Sequence, residues 1–252
     1  MNKETIFEQE VSYIANEDIR RFAKKAISLL PDYFFKVAAS STGKYHPKYA
    51  LGDGGLVRHT KAAARFANHL LQLEQNKKVF SDQDRDLIIV SILLHDGWKH
   101  GKDGSSYTTH DHPIVCAEWV KSCEDLKGII SDEDRMKVSN AISSHMGEWN
   151  MNKRSSVVLP KPETDMQKFV HMCDYLASRK DIEVLFDEPA SNNTSAPAPV
   201  TAETYIFGFG KYRGESLDSV YANHPDYVEW LERQGVGNAQ LQGLIKALVK
   251  NK

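Results

Sequence analysis

Apolar residues recur at three- and four-residue spacing over residues 17–30, 56–74, 82–95, 112–123, 132–144 and 165–186 of the chain. That period places one apolar stripe on a helix and predicts a run of amphipathic helices. Local start and stop signals agree with it. Ser81 and Ser131 each stand three residues before an aspartate (Asp84, Asp134), and Thr164 with Gln167 makes a capping box. Pro31 closes the first helix. From 34 to 55 the chain mixes Gly, Ser, Pro and Tyr without a period and reads as a loop. Strand signals are scarce, so the expected fold is mainly α, a helical bundle.

The pattern changes near the C-terminus. Residues 188–203, EPASNNTSAPAPVTAE, have almost nothing to bury and read as a flexible linker. Beyond it, residues 205–212 alternate aromatic and small side chains, which predicts a short strand or hairpin. Amphipathic segments follow at 225–234 and 238–249. The expected organisation is therefore a helical domain at 1–187, a linker at 188–203 and a small α+β module at 204–252. A module of about 50 residues builds a marginal core, so it is expected to dock, dimerise or bind a partner.

Composition narrows the function classes. With 41% hydrophobic residues the chain can bury a core. Lys+Arg number 32 against 34 Asp+Glu, a net charge of −2, so nothing in the whole-molecule charge drives phosphate-backbone binding, although a local basic groove stays open. Cys116, Cys123 and Cys173 cannot all pair and none lies in a CxxC, which excludes a disulfide scaffold and a Cys-based zinc finger. The N-terminus is charged and lacks a signal-peptide core. The longest apolar stretch, 87–94, is interrupted by Ser91 and is far short of the roughly 20 residues of a membrane span. A cytoplasmic protein without membrane contact is expected.

The ten histidines stand out, and most of those in the large domain fall at helix ends. His59 lies in GGLVRHT, His95 and Asp96 end the most apolar helix, His110 and His112 flank the start of the next, and His145 ends another. His171 and Asp174 share one face of the last long helix. Imidazole and carboxylate together suit Fe, Mn, Zn, Ni or Co. Neighbouring residues on a regular helix point about 100° apart, so His95 and Asp96 reach one site only where the helix breaks, which Gly97 permits. Plainer roles are open as well. A histidine at a helix C-terminus complements the dipole. Asp174, among Phe169, Val170, Met172 and Leu176, is costly to bury unless it binds metal or pairs with Arg179 or Lys180. His69 reads as a packing residue, His100 and His224 as surface residues, and His171 as a support beside the site.

The order His59, His95-Asp96, Asp174 resembles the signature of the HD-domain metal-dependent phosphohydrolases. The strings GGLVRHT, LLHD followed by Lys99, THDHP, SSHMGEW and HMCDYLASRK are most similar to the HD-type 3′-to-5′ exoribonuclease branch, over roughly residues 46–180. The resemblance implies His59, His95, Asp96, His112, His145 and Asp174 as ligands of two divalent transition-metal ions, with Asp96 bridging them. It places Lys99 beside the substrate phosphate. Gly97-Trp98 replaces the family's Ile-Gly before that lysine, and Met146 replaces the second histidine of SHHG, which argues against a third ion. No stretch before His46 is long enough for the OB-type module of that branch.

The tail FGFGKYRGESLDSVYANHPDYVEWLERQ resembles the C-terminal module of exonuclease-X-like enzymes, through Phe209, Gly210, Lys211, Tyr212, Gly214, Leu217, Tyr227 and Trp230. Tyr227 and Trp230 are expected in its core, and Lys211, Tyr212 and Arg213 on an exposed turn that could meet nucleic acid. The chemistry implied is a phosphodiesterase or exonuclease acting on nucleic acid or short or cyclic oligonucleotides. Two ions about 3.5–4 Å apart would activate a water for attack on phosphorus, with Asp96 and Lys99 as catalytic groups. His46, Lys99 and Arg179 are candidate substrate contacts. The competing readings are a mononucleotide phosphohydrolase, a di-iron oxygenase on the same ligands, and a non-catalytic nucleic-acid-binding module. A dimer is possible.

Overall fold

The computed structural model describes residues 3–40, 46–186, 201–203, 205–207, 210–236 and 239–250. Two compact units divide the chain, Met1–Leu185 and Phe186–Lys252. Residues 188–200 of the expected linker lie outside the described residues, as does Phe209 of the tail motif.

The first unit contains α1 (Lys3–Ile6), α2 (Glu8–Val11), α3 (Glu17–Leu29), α4 (Gly55–Leu71), α5 (Glu74–Val79), α6 (Asp82–Leu94), α7 (His112–Ser122), α8 (Asp132–Ser143) and α9 (Asp165–Ala177). The caps form where the sequence places them. Ser81 accepts the Asp84 N–H and Ser131 the Asp134 N–H. At α9, Thr164 N–H donates to Gln167 Oε1 (2.8 Å) while Gln167 N–H donates to Thr164 Oγ1 (3.3 Å). Each satisfies orphan donors of a first turn, worth about 1 kcal/mol.

Helix α6 is the centre of this unit. Every residue from Asp86 to Leu94 is buried, and a helix apolar on all sides must be surrounded. It packs against α3, α4, α8 and α9. Leu87, Ile88, Ile92 and Leu93 are fully buried, each contributing roughly 1.5–3 kcal/mol relative to exposure. Asp86, the one charge in that stretch, accepts the N–H groups of Ala15 and Asn16 (2.9 and 2.8 Å), which ties the α2–α3 connection to α6.

Two expected elements differ. The region expected as a loop at 34–55 holds 3₁₀ turns at Asp32–Phe35 and Lys48–Ala50. Its ends are zipped by Gly54 N–H to Lys36 O, Leu56 N–H to Val37 O and Ala39 N–H to Ala50 O; residues 41–45 lie outside the described residues. This close approach explains Gly55, where a Cβ would stand 2.3 Å from Ala50 O. The last long helix stops at Ala177 rather than 186. Beyond it no apolar side chain from 178 to 186 is fully buried and Leu185 is 80% exposed, so packing rewards helix propagation less.

The second unit contains α10 (Leu217–Asn223), α11 (Pro225–Gln234) and α12 (Ala239–Lys250). Phe207, Tyr212, Leu217, Val220, Val228, Leu231, Leu241 and Ile245 form its core. The expected α+β character is not found: among the described residues pairing is limited to one isolated antiparallel bridge, Ile206 with Ser216. Gly210 and Gly214 both adopt positive φ, and residues 210–214 fold as consecutive turns. Ile206 stays half exposed, so a longer ladder would have no buried face to reward it. Among the described residues no helix is long and apolar enough to cross a membrane.

Candidate metal centre

Helix ends converge on one point in the first unit. His59 lies one turn into α4, His95 caps the C-terminus of α6 and Asp96 follows it. His112 is the first residue of α7, His145 follows the cap of α8, and Asp174 lies on α9. Gly97 has no positive φ among the described residues; its requirement is room. A Cβ there would meet Leu30 Cδ2 at 2.7 Å and Leu94 O at 3.0 Å, so glycine is what lets the turn carrying Asp96 settle against the core.

Asp96 is the hub. Its Oδ2 faces His59 Nε2 (3.8 Å), His95 Nε2 (3.4 Å) and the ammonium of Lys99, with which it makes a close ion pair. Its Oδ1 faces His112 Nε2 (3.0 Å) and His145 Nε2 (3.6 Å). Asp174 Oδ1 lies 2.9 Å from His59 Nε2 and 3.4 Å from His95 Nε2. Asp174 therefore pairs with these histidines and not with Arg179 or Lys180.

The imidazoles are held in one tautomer by backbone acceptors. His95 Nδ1 donates to Ile92 O (2.6 Å), His112 Nδ1 to Thr109 O (2.6 Å) and His145 Nδ1 to Ile142 O (2.7 Å). A carbonyl oxygen can only accept, so the proton sits on Nδ1 and the lone pair of Nε2 points inward. That is how a protein orients histidine for a metal.

Buried donors and acceptors normally find partners, yet His95 Nε2, His112 Nε2 and Asp96 Oδ1 are buried without a hydrogen bond. Two sets of ligand atoms lie within metal-binding reach of one another: His59, His95 and Asp174; and His95, Asp96 and His145. One imidazole nitrogen serves one ion. With His95 given to the first set, Asp96, His145 and the nearby His112 remain for a second. Hard carboxylate and borderline imidazole donors fit divalent metal ions.

The electrostatics point the same way. Burial opposes charge at Asp96 and Asp174. Lys99 and His95 beside Asp96, and His59 and His95 beside Asp174, outweigh it and hold both carboxyls well below the usual range. At His95 burial is likewise outweighed, by the charge of Asp96 and the closeness of both carboxylates (3.4 Å each), and its pKa rises to about 10. The pocket attracts a cation, and without a metal it takes a proton.

The other candidates are distributed as follows. His46 sets its ring edge-on to His59 (centroids 5.0 Å), and burial, with His59 and Lys99 nearby, lowers its pKa to about 3, so it is neutral at physiological pH. Arg179 lies over Tyr175, 4.0 Å from the ring centroid. His171 donates from Nδ1 to His145 O (2.7 Å), the supporting role expected of it. Two of the three remaining histidine expectations fail. His69 is exposed, not packed. His100 is buried and stacks on Tyr33 (5.2 Å), because the turn after Asp96 folds back onto the Asp32–Phe35 segment. His224 is exposed as expected, with Tyr212 stacked on it (4.6 Å).

In the tail, Lys211 and Arg213 are exposed but Tyr212 is buried in the core and cannot stack a base. Trp230, expected in that core, is 46% exposed, while Tyr227 packs against it. The sequence reading also missed Trp149, which stacks on Tyr175; an aromatic four residues after a histidine ligand was the available signal.

A buried carboxylate hub ringed by tautomer-locked imidazoles at the meeting of helix ends defines a candidate metal centre in a helical domain. Residues 56–179 match the family model described as HD domain. The chain thus carries an HD domain, and its His/Asp cluster is that of a metal-dependent phosphohydrolase. No curated protein and no solved structure matches the chain.

Proposed function

We propose that the protein is a metal-dependent phosphodiesterase or exonuclease, hydrolysing phosphoester bonds of nucleic acid or of a short or cyclic oligonucleotide. The observation carrying this reading is the shape of the cluster's access. Side-chain exposure is 0–2% at His59, His95, Asp96, His112 and His145 but 19% at Asp174. A centre open at one ligand admits the end of a chain more readily than its middle. Support for the branch comes from the strings GGLVRHT, THDHP and SSHMGEW, and for a polymer from the exonuclease-X-like tail with its exposed Lys211 and Arg213.

His59, His95 and Asp174 would hold one divalent ion, and Asp96, His112 and His145 the other. Bound ions of this kind polarise a phosphoryl oxygen and make a water acidic enough to attack near neutral pH. The chain's own residues do the rest. The backbone carbonyls lock the three imidazoles, so no reorganisation is needed when the ligands engage. Asp96 stays ionised, and the Lys99 side chain beside it would face the charge that develops on the phosphoryl group. His46, neutral beside His59, can donate or accept toward substrate without adding charge.

The test is a substrate panel with Mn²⁺, Ni²⁺ or Fe²⁺: labelled single-stranded DNA and RNA, cyclic dinucleotides and nucleoside triphosphates. Mononucleotide ladders are expected. Free phosphate or triphosphate from mononucleotides alone would replace this reading with a nucleotidase. Equal rates for the wild type and a His95→Ala, Asp96→Ala double variant would overturn a catalytic role for the cluster. In the full chain, Lys211→Glu with Arg213→Glu is expected to slow polymer cleavage more than mononucleotide cleavage.

A further inference from the structure

The loop that supplies His145 continues onto the surface of α9. Gly147 has φ +60°, and a Cβ there would fall 2.2 Å from His171 Cε1, so the loop lies directly on that ring. His171 donates to His145 O from below. Two residues beyond Gly147, Trp149 stacks almost parallel on Tyr175, with centroids 5.6 Å apart and planes at 7°. Arg179 lies over the same Tyr175 ring, its Nε donating to Tyr175 O (3.2 Å) and its Nη2 to Ser178 Oγ (2.8 Å). Those bonds leave Nη1 for another partner.

This assembly is joined to the site through the chain: Trp149 lies four residues after His145, and its ring stands 6.0 Å from that of His171, which holds the His145 carbonyl. Trp149 remains 46% exposed. A large indole kept in water on the loop that supplies His145, stacked on a tyrosine that also carries a guanidinium, matches the chemistry that recognises a nucleotide: a π surface for the base and an Arg for the phosphate.

We propose that Trp149, held by the Tyr175 ring that Arg179 also covers, is the base-stacking platform of the site and makes nucleobase-bearing phosphates its substrate class. The inference rests on the phosphoester-hydrolase reading above, and the two fail separately. Stacking on a π face tolerates every base, so the platform selects for a base over none and not for one base over another.

The experiment is a titration of the metal-loaded full chain, followed by calorimetry and by tryptophan fluorescence. The probes are a non-hydrolysable phosphonate analogue of AMP and the ribose phosphonate without a base. The AMP analogue is expected to quench fluorescence and to bind about tenfold or more tightly than the base-free probe. Trp149→Leu should erase most of that difference and the quench, and Trp149→Phe should restore the difference in affinity. Metal content should match wild type in both variants. Equal affinity of wild type for the two probes, or an unchanged preference in Trp149→Leu, would overturn the platform. So would loss of metal from Trp149→Leu, which would make the stack a clamp for the His145 loop. A base-dependent preference in a protein that cleaves no phosphoester would keep the platform and sink the hydrolase reading.

Discussion

Helices α6 and α9 each deliver a carboxylate to the same cluster by opposite means. Helix α6 is apolar on every side and presents Asp96 only after it has ended, on a turn packed so closely that Gly97 is required. Helix α9 is amphipathic and carries Asp174 within its length, with one edge open to solvent. Asp96 is consequently dry, centred and balanced by Lys99, whereas Asp174 is a ligand and also the threshold of the site. Rigidity comes from one helix and access from the other.

That contrast breaks most visibly by deleting each carboxylate. Asp96→Ala strands Lys99, His112 and His145, and should cost the metal-free protein about 3–5 kcal/mol in urea unfolding. It should lose the ion of the Asp96, His112 and His145 set, hold at most one ion at His59, His95 and Asp174, and show only background hydrolysis. Asp174→Ala should cost about 1–3 kcal/mol, the penalty for unpairing His59. It should retain about one ion per chain by elemental analysis, since the Asp96 side keeps its ligands. Equal losses from the two variants would erase the distinction.

The pH response sharpens it further. In the metal-free protein His95 is raised from an ordinary value of 6.5 to about 10. The stability this proton supplies is fully present below about pH 6.5 and is lost as pH rises toward 10. Metal must displace the same proton, so affinity should increase over that window, and calorimetry in buffers of different ionisation enthalpy should detect proton release. The carboxyls respond in the other direction. Asp96 and Asp174 are depressed below 3.8, so their stabilisation is present above that value and disappears as pH falls.

A smaller effect tests the packing at each site. Gly147→Ala forces a Cβ against the His171 ring at positive φ, and should cost about 1–3 kcal/mol while disturbing His145. Gly97→Ala meets the end of the Leu30 side chain and should cost less, read as the difference in Tm. The smallest effects are the caps: Ser81→Ala on α6 and Thr164→Ala on α9 should each lower stability by about 1 kcal/mol without changing metal content.

Much of this was legible in the chain. Helix positions followed from apolar spacing, and the caps of α6, α8 and α9 from Ser or Thr three residues before a polar partner, because these are local interactions. The ligand histidines and aspartates were visible as an ordered series at helix ends. The failures share a cause as well. Residues 205–212 alternate like a strand but find no partner long enough to make one. His69, His100, Tyr212 and Trp230 all changed places between core and surface, because burial depends on which other segment arrives, and periodicity does not report that.

The sequence by itself determined the helices, their caps and the cast of ligands, since hydrogen bonding within a few residues and the spacing of apolar side chains are properties of the chain. Only the tertiary structure decided that Asp96 is the hub, that backbone carbonyls of the preceding turn set the histidine tautomers, and that Asp174 is the most exposed member of the cluster. Those features arise where five helices from distant parts of the chain meet, and the energy that holds a buried carboxylate ionised exists only once its partners surround it.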